Sequence, residues 1–450
     1  MLLPPSLLQS LEAVPGFDRE SFEAIHASGE QVTSIRVNPE KTMDHGSWSM
    51  NKVPWCPHGY YLSQRPFFTF DPLFHAGAYY VQEASSMFIW KALEELATKE
   101  PDQKILDLCA APGGKSTLLA SYFSDSLVVA NEVIKSRAAV LVENITKWGS
   151  GNVIVTNNDP SHFQSLPGYF DVMMIDAPCS GSGLFRKDPS ATEEWSEDNV
   201  QLCSQRQQRI LADVLPALKE DGLLLYSTCS YSTAEDEAIA DWLVREMEME
   251  SRQISVPETW GIVETLSPEK KAYGYRFYPD RVKGEGFFIA AFKKKGQAIY
   301  GNGKEQPLTR LTKQEEQQMH SFIQLPDTFS LFKQSESIRA IQTRWVKALQ
   351  LLAKVLYIKK AGVEIGTIKG KDVIPAHELA TSNLWKDIFT PITLTKEQAL
   401  QYLRRKDLVL PDAPKGWQLV AYEGLPLGWV KVLPNRINNY YPAEWRVLKD

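Results

Sequence analysis

Nowhere do these 450 residues stay apolar for the roughly 18 positions a membrane span needs. The opening Met1-Leu-Leu-Pro-Pro-Ser6 lacks the basic start and the unbroken apolar stretch of a signal peptide. Cysteine is scarce. Cys56, Cys109, Cys179, Cys203 and Cys229 include no C-x-x-C pair, so no metal cluster is spelled out, and the odd count fits a reduced, cytoplasmic chain. The dinucleotide fingerprint G-x-G-x-x-G is absent, as are internal repeats and low-complexity tracts. Positive charge is short as well: 49 Lys+Arg face 55 Asp+Glu, a net charge of −6 that reads at first as an argument against nucleic acid. The sum hides a division. Residues 301–450 hold 22 Lys+Arg against 15 Asp+Glu, a balance of +7, and the first 300 residues carry −13.

What is present is the composition of an ordinary folded protein, 43% hydrophobic and 23% charged, long enough for about three domain-sized units. The first unit, 1–100, is mixed and rich in aromatics, with a short strand at Ser34–Asn38 and helical spacing at Met87, Trp90, Leu93 and Leu96. From Lys104 the grammar changes. Short apolar runs at Lys104–Cys109, Ser126–Ala130, Asn152–Val155, Asp171–Ile175 and Gly222–Tyr226 alternate with longer amphipathic stretches at 133–148 and 197–219. In the second of these stretches Leu211, Val214, Leu215 and Leu218 would line one buried face. Runs of this kind suit a parallel sheet covered on both faces, which makes the second unit, 101–296, an α/β doubly wound domain. Its ligands would lie at the C-terminal ends of the strands. Gly286–Phe292 is expected to join the same sheet, and a linker is expected between Lys293 and Pro307. In the third unit, 307–450, residues 311–356 read as largely helical. Short strands follow at 364–368, 418–422 and 427–432.

The segment Asp107-Leu-Cys-Ala-Ala-Pro-Gly-Gly-Lys-Ser116 follows a strand and opens a helix, the place where backbone can approach a ligand closely. Gly114-Lys115-Ser116 matches the end of a P-loop, but Cys109 stands where the first P-loop glycine belongs. S-adenosylmethionine (SAM) needs no phosphate cradle. It needs close backbone and an acid after the second strand for its ribose, a position held by Glu132. Asp159 after the third strand could meet the adenine, and Asp176 ends the fourth at the same crevice. Singly, each acid reads as a helix cap or a solvated strand end; Asp107, Glu132, Asp159 and Asp176 on successive strands read as a site.

Two more motifs reach that edge: Asp176-Ala-Pro-Cys-Ser-Gly-Ser-Gly183 and Tyr226-Ser-Thr-Cys-Ser-Tyr-Ser232. Cys56, Cys109 and Cys203 read as small buried hydrophobes. Cys179 and Cys229 lie in polar turns, where a thiolate can form and act. Two thiols beside a methyl donor suggest pyrimidine chemistry. Carbon C5 of a pyrimidine is too weak a nucleophile to take a methyl group unaided, and thiolate addition at C6 activates it. A carboxyl near N3, such as that of Asp176, would stabilise the adduct. A base must then remove the C5 proton so that the thiol can leave. The residues alone do not say which cysteine attacks and which aids release.

Four motifs in order, Tyr80-Val-Gln-Glu-Ala-Ser-Ser-Met87, Asp107–Lys115, Asp176-Ala-Pro-Cys-Ser-Gly181 and Ser227-Thr-Cys-Ser230, resemble the Sun/Nop family of RNA cytosine-5 methyltransferases. Gly424–Lys431 and Asn435–Pro442 look like the PUA-like end of its RsmF-like branch, which acts on small-subunit (16S) ribosomal RNA. The resemblance implies a Rossmann-like SAM-dependent core between a small α+β N-terminal domain and a C-terminal RNA-binding region, helical and then PUA-like. It implies Cys229 as nucleophile and Cys179 as the aid to release. It also implies a SAM site at Cys109, Ala110, Ala111, Pro112, Gly113, Gly114, Lys115, Glu132, Asp159 and Asp176. The partner would be ribosomal RNA or the small subunit, with no metal, no membrane and no obligate protein partner. Glu235-Asp236-Glu237 replaces a frequent Glu-Asn-Glu, and Ser182 a frequent Glu, departures expected to affect RNA seating rather than chemistry. Alternatives are the same chemistry on transfer RNA or DNA, or an idle RNA-binding assembly factor. RNA contacts are expected from Arg186, Lys187, Arg276, Arg281 and Lys283. In the tail they are expected from Arg404–Lys406, Lys431 and Arg436 among Trp417, Trp429, Tyr440 and Tyr441.

Overall fold

The computed structural model describes residues 3–41, 50–296, 306–385 and 388–448. Five parallel strands form its centre: β1 (Lys104–Asp107), β2 (Leu127–Asn131), β3 (Val153–Thr156), β4 (Phe170–Asp176) and β5 (Leu218–Thr228). Their order is β3-β2-β1-β4-β5. The chain thus winds outward in both directions from β1, and the switch point between β1 and β4 opens a crevice at their C-terminal ends. Period-two alternation explains why these runs are apolar throughout. Ile105, Val128, Val153 and Val172 face one core, while Leu106, Val129, Ile154 and Met173 face the other. On the first face lie α1 (Gly114–Tyr122) and α2 (Lys135–Trp148), and on the second α3 (Glu197–Val214) and α4 (Glu237–Glu246).

Beyond β5 the sheet continues antiparallel. Strands β6 (Met249–Arg252), β7 (Val263–Leu266), β8 (Tyr273–Phe277) and β9 (Phe287–Lys294) complete this side, with β9 directly against β5. On the far edge, β10 (Ile358–Ala361) of the C-terminal region pairs antiparallel with β3. No sequence signal marked that strand as part of the core sheet.

Two expectations need correction. The helix expected through residue 219 stops at Val214, because Pro216 cannot continue it; Leu218, expected on its buried face, is buried at the start of β5. Residues 311–356 are not largely helical. Helices Lys313–Phe322 and Val346–Val355 flank a hairpin of Phe329–Gln334 and Ser337–Gln342. Its two-residue connection carries Ser335 at φ +55°, which reverses the chain where helical spacing alone continued it. Much of the expected linker, 297–305, lies outside the described residues.

The N-terminal region forms a four-stranded antiparallel sheet of Met50–Lys52, Gly59–Leu62, Thr33–Val37 and Tyr79–Val81. Arg36 ties it to the core: the side chain is fully buried, lies over the Trp148 ring, and donates to Gln82, the Gly114 carbonyl and Thr117. The remaining strands build two four-stranded sheets. Among the described residues no helix is long and apolar enough to cross a membrane.

Candidate active site

The loop after β1 turns at Gly113, whose φ of +118° L side chains rarely adopt, and α1 begins at once. Below it Asp107 is fully buried. Its Oδ2 accepts from Ser116 Oγ at 2.6 Å, Oδ1 has no protein partner, and burial pushes the carboxyl up to about 7. A crevice of about 260 Å³ opens above the loop, lined by Cys109–Pro112, Gly114, Lys115, Asp176 and Cys229 among others. Lys115 does not wait for a phosphate: its Nζ donates to Asp176 Oδ2 at 2.8 Å. Burial pulls this ammonium down, but Asp176 outweighs it and holds Lys115 above its usual range. The loop lining the crevice and the lysine already paired with Asp176 fit a SAM-type ligand better than a nucleotide phosphate.

Asp176 also accepts from Ser227 Oγ through Oδ1 at 2.6 Å, which fixes the carboxylate between the ends of β4 and β5. The two thiols meet there. Cys179 Sγ and Cys229 Sγ are 3.1 Å apart. Contact with Cys229, then burial, pushes the Cys179 thiol well above its ordinary range. Gly183 N–H donates to the Cys229 carbonyl at 2.8 Å, and Gly286 N–H to the Gly183 carbonyl at 3.0 Å. A Cβ on Gly183 would come within 2.6 Å of Gly286 O, so the close approach of the three segments requires glycine there.

Glu132 and Asp159 follow their strands as expected, but neither is among the residues lining this crevice. Glu132 is buried, its Oε1 accepting from Ile134 N–H at 2.9 Å with Arg137 3.6 Å from Oε2. Asp159 caps the turn Pro160–Ser165 through Ser161, and those two hydrogen bonds hold its carboxyl low. Cys109 borders the crevice, and burial pushes its thiol up. Among the described residues no cluster of His, Cys, Asp and Glu could hold a metal ion.

Several expected RNA contacts are framework. Arg276 is 1% exposed and pairs with Glu237 and Asp236. Arg186 is buried and donates to the carbonyls of Gly284 and Glu30. Trp429 and Tyr441 are core. Lys187, Arg281, Lys283 and Arg436 are exposed. The triplet Glu235-Asp236-Glu237 is buried and held within the protein, Glu235 by Ser180 and Ser230, Asp236 by Thr228, and Glu237 by Thr265 and Arg276. Ser182 is buried too, accepting from Tyr231 N–H. Sequence reasoning missed Glu235, Gln207 and the serines beside them, although both motif cysteines are followed by serine, at Ser180 and Ser230.

Fold and crevice together define a SAM-dependent methyltransferase. The chain belongs to the family described as 16S rRNA methyltransferase RsmB/F, whose profile matches residues 94–293. Profiles of the N-terminal domain of 16S rRNA methyltransferase RsmF and of the methyltransferase RsmF PUA domain match residues 3–84 and 389–447. The ribosomal RNA small subunit methyltransferase F of Psychromonas ingrahamii is 32% identical over 92% of this chain and 90% of its own. That of Vibrio parahaemolyticus is 28% identical over 98% and 97%. Among solved structures, a methyltransferase homolog from Pyrococcus horikoshii aligns at 28% identity and a TM-score of 0.52, covering 65% of this chain and 100% of its own.

Proposed function

We propose that this protein methylates C5 of a cytosine in 16S ribosomal RNA, in the cytoplasm, through a covalent bond from Cys229 to C6. The observation that carries the reading is the pair of sulfurs 3.1 Å apart past the ends of β4 and β5, with Cys229 and Asp176 lining the same crevice as Cys109–Pro112, Gly114 and Lys115. Bound SAM supplies an electrophilic methyl group. The loop Cys109, Ala110, Ala111, Pro112, Gly113, Gly114 and Lys115 would hold SAM together with Asp176, and Glu132 and Asp159, past the neighbouring strands, would meet its ribose and adenine.

The Cys229 thiolate adds to C6, and the displaced electron pair makes C5 nucleophilic. N3 takes up a proton from solvent as the adduct forms, and the Asp176 carboxylate, held by Lys115 and Ser227, accepts from that N3–H. Cys179 starts as a thiol because Cys229 stands against it. Once Cys229 is bonded to carbon, that contact no longer holds the proton on Cys179. Cys179 loses it to solvent, accepts the C5 proton, and lets Cys229 leave as thiolate.

The target base must leave its stack to reach this crevice, at a cost of a few kcal/mol. Exposed Lys187 in the crevice lining, exposed Lys283 and the basic 307–450 region supply phosphate contacts to offset it. Bisulfite sequencing of ribosomal and transfer RNA, with and without the protein, tests the proposal. A protein-dependent 5-methylcytosine in 16S RNA is the expected result; one confined to transfer RNA, or none, overturns it.

A further inference from the structure

Between the two cysteine loops lies a carboxylate that the chemistry above leaves unused. Glu235 is 0% exposed. Its Oε1 accepts from Ser180 N–H at 2.8 Å and from Gln207 Nε2 at 3.2 Å. Its Oε2 accepts from Ser180 Oγ at 2.5 Å and Ser230 Oγ at 2.6 Å. Gln207 Nε2 also donates to the Pro178 carbonyl at 3.0 Å, bracing the first loop from the α3 side. Ser180 follows Cys179, and Ser230 follows Cys229. One carboxylate therefore grips the neighbour of each sulfur, and among the described residues no Lys or Arg forms a salt bridge with it.

We propose that Glu235 is a positioning residue whose carboxylate clamps the two cysteine loops together and presents a negative charge to the Cys179 side of the pair. The inference rests on the reading of Cys179 and Cys229 as the catalytic pair. Two strand ends carry these loops, β4 and β5, and nothing in the strand register alone brings two sulfurs into contact. Four donors converging on one buried acceptor do so, because any drift of either loop strips a hydrogen bond from a charge that water cannot reach. The charge has a second effect. After contact with Cys229 and burial, Glu235 is a further cause that holds the Cys179 thiol up, which keeps Cys179 from competing as the nucleophile.

Glu235→Gln separates this role from simple support. Glutamine keeps the reach and can place its oxygen toward Ser180 N–H and Gln207, while the serine hydroxyls rotate to accept from its NH₂. The clamp is then uncharged. The readout is iodoacetamide labelling of the full chain without RNA or SAM, with each cysteine scored by peptide mass, because alkylation follows thiolate fraction. In the parent, labelling of Cys229 exceeds that of Cys179. In Glu235→Gln the Cys179-to-Cys229 ratio rises by about tenfold, one pKa unit's worth. Turnover falls by about 100-fold, the effect of a misplaced reacting group, with SAM affinity unchanged. Ser180→Ala with Ser230→Ala keeps the charge and loosens the grip, so it lowers turnover although Glu235 stays in place. Parental turnover and ratio in Glu235→Gln overturn the proposal. Labelling requires no RNA substrate, so failure of the cytosine-5 reading, seen as full activity in Cys229→Ala, is told apart from failure of the clamp.

Discussion

The catalytic edge of the central sheet and the C-terminal region both carry many polar and charged groups, yet the two use them differently. At the edge, five parallel strands end side by side, and the loops after β1, β4 and β5 are delivered to one crevice. The order β1-β4-β5 carries Asp107, Asp176, Cys179 and Cys229 to one edge, and side-chain hydrogen bonds then set their contacts. In the C-terminal region the +7 balance has no such focus. Arg339 and Lys360 are buried against Glu378, and the Trp429 side chain fills the core between two sheets. Charge summed over a region thus says that a nucleic-acid partner is plausible without saying which cations meet it. Position at a strand end says which residue acts.

The contrast breaks first at the sulfurs. Replacing Cys229 with Ala should lower methyl transfer by at least about 10³-fold, as loss of a nucleophile does, while the protein stays folded. Full activity would sink the nucleophile assignment. Replacing Cys179 with Ala should instead trap a covalent protein–RNA adduct, seen as a slow band on a denaturing gel. If Cys229→Ala traps adduct and Cys179→Ala does not, the roles are reversed.

The next test concerns one arginine of the RNA-contact expectation. Arg276 sits in a pocket with Glu237, Asp236 and the Tyr231 carbonyl. Burial opposes ionisation of Glu237, but the Arg276 guanidinium holds its carboxyl below the usual range. Arg276→Ala strands these carboxylates and should destabilise the fold by about 3–5 kcal/mol in chemical denaturation. A variant with parental stability and weaker RNA binding would return Arg276 to the RNA.

A C-terminal region that served RNA binding alone could be removed and leave SAM affinity intact. The structure changes that forecast. Strand β10 is the edge of the core sheet, and the Tyr357 backbone exchanges hydrogen bonds of 2.9 and 3.2 Å with Asn158, next to Asp159. A chain ending at residue 305 should therefore lose SAM affinity as well, by several-fold in equilibrium dialysis, because an exposed β3 loosens the loop beside it. Unchanged SAM affinity would show that β10 is only a cover.

How much was legible follows from the same contrast. The alternating runs from Lys104 to Tyr226 specified the doubly wound sheet, since a strand buried on both faces leaves a continuous apolar signature. The Cys179 and Cys229 loops stood out because each followed such a run. The hairpin at 329–342 was hidden by residues that also fit a helical period, and β10 by its length of four residues. Glu235 was hidden for a different reason. It sits one turn before α4, and only the folded chain brings it under Ser180, 55 residues away in sequence.

The smallest effect falls on Arg436, exposed on the return strand of the last hairpin. Arg436→Glu removes one cation and adds an anion without disturbing any buried group. Loss of a single phosphate contact lowers the slope of log affinity against log salt by about one and weakens RNA binding by less than roughly tenfold at physiological salt. Filter binding at several salt concentrations measures both quantities. Lys431 is the internal control. It already pairs with Asp372 at 3.4 Å and lies over the Trp417 ring at 5.2 Å, so its ammonium is partly spent within the protein. Lys431→Gln should therefore flatten the salt slope less than Arg436→Glu. Equal slopes for both variants would mean that the tail's charge acts only as a diffuse field, leaving the residue-level assignment to the catalytic edge alone.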